Sequence, residues 1–124
     1  EVTICACGIM VHEALKAAKI LAQQDLCAEV IDCYSVNPLP AQQILESIHR
    51  TGCCVVAEEH LLHGGLGDAI ASLVCRSYPA PVKFVAVDNK FGQSGRAEEL
   101  QEYYGLTSSQ IVSAAVQVWT MRRR

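Results

Sequence analysis

Apolar positions along the chain cluster in four short runs, separated by longer stretches in which they recur every three or four residues. Val2 to Cys7 reads as a β-strand ended by Gly8, and Val11 to Gln23 then carries Val11, Leu15, Ala18 and Leu21 at helical spacing. Ala28 to Cys33 is a second strand. Asn37-Pro38-Leu39-Pro40 breaks the chain before a helix from about Ala41 to Arg50, which Gly52 ends. Cys53 to Ala57 is apolar throughout, as in strands covered on both faces, and Asp68 to Ser77 is an amphipathic helix closed by Pro79 and Pro81. Val82 to Val87 is the fourth strand, Asp88 to Arg96 a loop, and Ala97 to Tyr104 helical up to Gly105. A last helix follows, through about Thr120, with Ile111, Ala114, Ala115 and Val118 as its stripe. Thr107 or Ser108 is expected to accept a hydrogen bond from its first turn.

Strands that alternate with helices predict parallel neighbours, because parallel pairing needs a crossover. The expected fold is therefore α/β, a three-layer α/β/α arrangement with an open parallel sheet between helices. With 124 residues, 51% hydrophobic content and mean hydropathy +0.21, the chain is long enough for one compact domain over residues 1–124. The net charge is −3 and the only dense basic cluster is Arg122-Arg123-Arg124, which excludes a broad face for nucleic acid. No apolar stretch approaches the length of a membrane span and no signal-type core follows the N-terminus, so the expected location is cytoplasmic. Glu1 stands directly ahead of a strand without an initiator Met, which reads as a piece of something longer. The seven cysteines are odd in number and lack zinc spacing. They are read as reduced thiols, mostly small hydrophobes within strands and apolar helices.

The densest chemistry lies between Val55 and Ile70, where an apolar strand runs into Glu58, Glu59, His60 and His63 and then Gly64-Gly65-Leu66-Gly67. No Gly-Lys-Ser/Thr follows the glycines, and their spacing is not that of a dinucleotide fingerprint. Free N–H groups at the helix start could hold an anion, while the plainer role of the glycines is a sharp turn and close packing. Glu58 and Glu59 with the two histidines could be an acid–base or metal set, but Leu61 and Leu62 interrupt the ligands and nothing completes a shell. Alternatively one carboxylate caps backbone N–H groups at the strand exit while the other meets solvent or a partner. Ser94, Gly95 and Arg96 precede Glu98 and Glu99, an ordinary capping arrangement. His12 and His49 read as solvent-edge side chains, and Tyr103, Tyr104 and Trp119 as core or interface aromatics.

Several landmarks occur in one order: Thr3-Ile4 to Gly8, Asp32 to Pro40, Val56-Ala57-Glu58-Glu59-His60 with Gly64-Gly65-Leu66-Gly67, and Phe91-Gly92-Gln93-Ser94-Gly95 followed by Glu98-Glu99-Leu100 and Tyr104-Gly105-Leu106. Together they resemble the C-terminal domain of transketolase over nearly the whole chain. The same domain type closes 1-deoxy-D-xylulose-5-phosphate synthase and the β subunit of 2-oxoacid dehydrogenases, and Asp88 to Gly95 looks more like the transketolase version. The resemblance implies a mostly parallel, mixed five-stranded sheet whose antiparallel edge strand precedes Val2.

It also implies a parent enzyme that uses thiamine diphosphate with Mg to move a two-carbon ketol unit between sugar phosphates. In that family the cofactor sits on preceding domains, on a Gly-Asp-Gly to Asn motif that this chain lacks. No catalytic, cofactor-binding or metal residue is therefore expected here, and no activity of the chain alone. The expected partners are the N-terminal thiamine-diphosphate-binding domains or subunit of the same enzyme, in a homodimer or heterotetramer, with neither nucleic acid nor membrane. Glu58, Glu59, His60, Gly64, Gly65, Gly67, Ser94 and Gly95 are the candidates for an interface or anion-binding loop. The rival classes are the same domain from the synthase or dehydrogenase, and an anion- or nucleotide-binding regulatory module.

Overall fold

A computed structural model describes residues 1–33, 38–61, 65–87 and 107–124. In chain order the elements are β1 (Val2–Ala6), α1 (Met10–Gln23), β2 (Ala28–Asp32), α2 (Ala41–Thr51), β3 (Cys54–Leu61), α3 (Leu66–Ser77), β4 (Val82–Val87) and α4 (Ser108–Thr120). The strands form one sheet in the order β2-β1-β3-β4, every pair parallel. The loop expected over 88–96, the helix over 97–104 and the implied antiparallel strand lie outside the described residues, as do residues 34–37 of the predicted break.

Alternation along the buried strands builds two cores. Val2, Ile4 and Ala6 face the same side as Val55 and Ala57, where Met10, Ala14, Ala17 and Leu21 of α1 meet Ile111, Ala115 and Val118 of α4. Cys5, Ile31, Cys54 and Val56 face the other side, against Ile44 and Ile48 of α2 and Leu66, Ile70 and Val74 of α3. The result is the three-layer α/β/α architecture. The buried stripe of α1 is rotated from the expected one. Leu15 is half exposed, because Ala14 and Ala17 let the helix lie close on the sheet with their faces rather than with the leucine.

Thr3 is the polar exception within β1. Its Oγ1 lies 2.7 Å from both Ser47 Oγ and Thr51 Oγ1, and Thr51 Oγ1 donates to the Cys53 carbonyl at 3.0 Å. These hydroxyls tie α2 to the sheet, and among the described residues no buried side-chain N or O lacks a partner. α2 ends at Gly52, whose φ of +76° is the left-handed conformation that favours glycine.

The start of α4 differs from expectation. Neither Thr107 nor Ser108 caps it through a side chain. Instead Glu13 Oε1, from α1, accepts the Ser108 N–H at 3.0 Å, and the Thr107 hydroxyl meets Ser109 Oγ at 3.0 Å. A carboxylate from the helix packed alongside complements the positive end of α4 better than a neutral hydroxyl does.

All seven cysteines are free thiols. Cys33, Cys5 and Cys54 share one face of the sheet, with the Cys5 and Cys54 sulfurs 3.8 Å apart. Hydrogen bonding to Cys5, then burial, pushes the Cys33 thiol far above its ordinary range. The bond from Cys33 favours the Cys5 thiolate, but the bond with Cys54 and burial outweigh it, so Cys5 is also raised well above normal. Among the described residues no helix is long and apolar enough to cross a membrane.

Alkylation followed by peptide mapping is expected to label exposed Cys27 and Cys75 first and to reach Cys5, Cys33, Cys53 and Cys54 only in denaturant. Thr3→Val is expected to cost about 1–3 kcal/mol in urea denaturation by removing its buried bonds to the Ser47 and Thr51 hydroxyls, and adding Ser47→Ala should recover part of it.

Candidate functional site

The carboxyl end of β3 and the start of α3 form the site. β3 does not stop at Ala57. It continues through Glu58, Glu59 and His60 to Leu61, and its register on β4 shifts between Ala57, paired with Val85, and Leu61, paired with Val87. Such an irregularity at a strand end bends the chain and re-aims its side chains. Glu58 keeps the orientation of Val56, inward toward α3, and is 1% exposed.

A carboxylate so buried must be matched by donors. Glu58 Oε2 accepts the Leu66 N–H at 2.6 Å and Oε1 accepts the Gly67 N–H at 2.9 Å. Both donors belong to the first turn of α3, which consequently begins at Leu66, two residues before the expected Asp68. Gly65 and Gly67 are explained by contact rather than by handedness. A Cβ on Gly65 would stand 2.7 and 2.8 Å from the Glu58 oxygens, and one on Gly67 would stand 2.7 Å from Phe84 Cδ1 of β4.

The structure thus brings together Glu58, Gly65 and Gly67 from the sequence-derived set and adds Phe84. Glu59 and His60 lie on the β3 backbone, and Gly64, Ser94 and Gly95 fall outside the described residues. Phe84 gave no signal in the sequence, because only the sheet order sets β4 beside β3. Chemically, the Glu58 carboxylate already occupies the place where an anion would meet the α3 N–H groups and cancels much of the helix's positive end. An external anion would have to displace a buried internal one. Among the described residues no group of three or more His, Cys, Asp or Glu could hold a metal ion. These residues offer no cradle for a diphosphate and its metal.

Comparison with known proteins gives the family. Residues 1–111 match the family model described as "Transketolase, C-terminal domain". The chain belongs to the transketolase C-terminal domain family. It is 43% identical over 118 residues to the 6-deoxy-6-sulfo-D-fructose transketolase subunit SqwH of Clostridium sp. (strain MSTE9), matching 95% of this chain and 37% of that protein. The 1-deoxy-D-xylulose-5-phosphate synthase 1 of Geobacter sulfurreducens is 35% identical over 116 residues, with 92% of this chain and 18% of that protein covered.

Among solved structures, a split-gene transketolase described as an inactive beta4 tetramer superposes with a TM-score of 0.94 at 42% identity, covering 99% of this chain and 40% of the other. The Leishmania mexicana transketolase, at 20% identity and TM-score 0.65 over 99% of this chain and 17% of the other, shows the shared fold. This transketolase C-terminal domain therefore spans well under half the length of the relatives it matches.

In this transketolase C-terminal domain Glu58→Ala is expected to cost about 2 kcal/mol of stability by freeing two first-turn N–H groups. Gly65→Ala should cost about 1–3 kcal/mol through its clash with the carboxylate. Measured as a double-mutant cycle by chemical denaturation, the pair should couple by about 1 kcal/mol or more, since the added methyl meets no carboxylate once Glu58 is gone.

Proposed function

We propose that this chain is the C-terminal domain of a thiamine-diphosphate- and Mg-dependent transketolase, a single domain carried as a piece of a longer polypeptide or of a separate subunit. Its parent transfers two-carbon ketol units between sugar phosphates. The domain itself serves assembly and stability. The observation that carries this reading is the match of residues 1–111 to the family, together with coverage of only 37% of the 43%-identical subunit. The closed Glu58 lock supports it, because a helix start already filled by an internal carboxylate suits a structural joint better than an open phosphate cradle.

On this reading the partners are the upstream thiamine-diphosphate-binding domains or subunit, in a homodimer or heterotetramer, and the setting is the cytoplasm. Similarity to a split-gene transketolase that forms a tetramer favours a multi-chain assembly. On this reading Glu59, His60, Gly64, Ser94 and Gly95 are candidates for the contact with that partner. A second reading keeps the domain and changes the parent to 1-deoxy-D-xylulose-5-phosphate synthase, favoured by the 35% identity to the Geobacter protein.

Calorimetric titration of the chain with thiamine diphosphate and Mg²⁺ is expected to show no saturable binding, and mixing it with the upstream chain should give ketol transfer. Stoichiometric cofactor binding by this chain alone would overturn the assembly role. A mixture that condenses pyruvate with glyceraldehyde 3-phosphate instead would move the parent to the synthase.

A further inference from the structure

In a parallel sheet with crossover helices, strands start and helices finish at the same end. The last turns of α2 and α3 and the residues after α4 therefore gather at the amino end of the sheet, and each brings arginine. Arg50 lies in the last turn of α2, Arg76 in that of α3, and Arg122, Arg123 and Arg124 follow α4. Sequence order scatters these charges. The fold collects them.

The residues after α4 are pinned across this end. The Arg123 N–H donates to the Gly52 carbonyl at 2.8 Å, and its Nη1 donates to the Pro79 carbonyl at 3.1 Å. Its guanidinium lies 4.0 Å over the Tyr78 ring, which in turn is 3.8 Å from the His49 ring. The Arg122 guanidinium lies 4.1 Å over Trp119 and donates to the Trp119 carbonyl at 2.9 Å. Two guanidinium groups are thus held over aromatic rings, with much of their rotamer freedom already spent.

Among the described residues carboxylates stand at both poles, five of them at the opposite one. Asp32, Glu58 and Glu59 lie toward the carboxyl ends of strands, and Glu13 and Asp68 lie in first helical turns. At the amino end stand Glu1, Asp25 and Glu29, of which Glu29 is engaged by Arg50 at 2.7 Å, whereas Arg76, Arg123 and Arg124 are exposed and joined to no carboxylate among the described residues. The chain as a whole is nonetheless acidic, at −3.

We infer that the arginine-rich amino end of the sheet is a docking surface for an acidic polypeptide segment. Guanidinium forks match carboxylates two bonds at a time, and stacked arginines beside Tyr and Trp are the side chains that anchor protein interfaces. The small size of the basic end decides against nucleic acid, because a long phosphate chain extending past it would meet the acidic remainder. A short acidic segment fits within it. This surface stands at the far end of the sheet from Glu58, and its test does not depend on the identity of the parent enzyme.

Trp119 is the single tryptophan and sits under Arg122, so its fluorescence reports the site directly. The full chain is titrated with a capped decaglutamate peptide. The expected result is a saturable change that weakens at least about tenfold as salt rises from about 20 mM to about 300 mM. The double variant Arg76→Gln/Arg124→Gln, which leaves Gly52 and both stacked rings untouched, should weaken binding by about tenfold, while Lys16→Gln/Lys19→Gln on α1 should not. No saturable change, indifference to the arginine variant, or equal binding of an oligonucleotide of matched charge would each overturn the proposal.

Discussion

The carboxylate of Glu58 accepts the Leu66 and Gly67 N–H groups from inside the protein, so the end of β3 and the beginning of α3 are one hydrogen-bonded unit. Burying a charge is costly unless donors meet it, and here the donors are backbone groups that a helix start leaves free in any case. Two needs are met by one contact. The requirement propagates outward: Gly65 must lack a side chain to admit the carboxylate, Gly67 must lack one to admit Phe84, and Phe84 ties β4 to the same joint. The start of α3 and the glycine pattern ahead of it both answer to that one side chain.

Glu13 repeats the device on the other face of the sheet. It reaches from α1 to the Ser108 N–H, as Glu58 reaches from β3 to α3. Neither helix carries a side-chain cap of its own at its N-cap residue. Both borrow one from a neighbour, so their ends depend on tertiary packing and the layers stabilise one another cooperatively. The hydroxyl cluster of Thr3, Ser47 and Thr51 does the same for α2 with short neutral bonds.

Much of the fold is legible in the chain because apolar runs and helical spacing are local signals. All four strands and the helices at α1, α2, α3 and α4 follow from them. What escapes is non-local. The charged residues Glu58, Glu59 and His60 end the apolar run, so β3 reads as stopping at Ala57, although a carboxylate can continue a strand when a helix start satisfies it. Helical spacing puts Leu15 on the apolar stripe, whereas Ala14 and Ala17 win that face by letting α1 approach. The cap of α4 lies on another helix, and the contact of Gly67 with Phe84 depends on a sheet order that spacing alone does not encode. The Gly65 and Gly67 turn is readable as close packing; its partner is not.

β1 stands inside the sheet, with Thr3 paired to Glu29 on one side and to Cys54 on the other. A ribosome delivers it before either neighbour. Until β3 has emerged, this inner strand of the described sheet has one open flank, and α1 with β2 can shelter only part of it. The open flank of β1 is therefore left unpaired until Cys54 to Leu61 is synthesised.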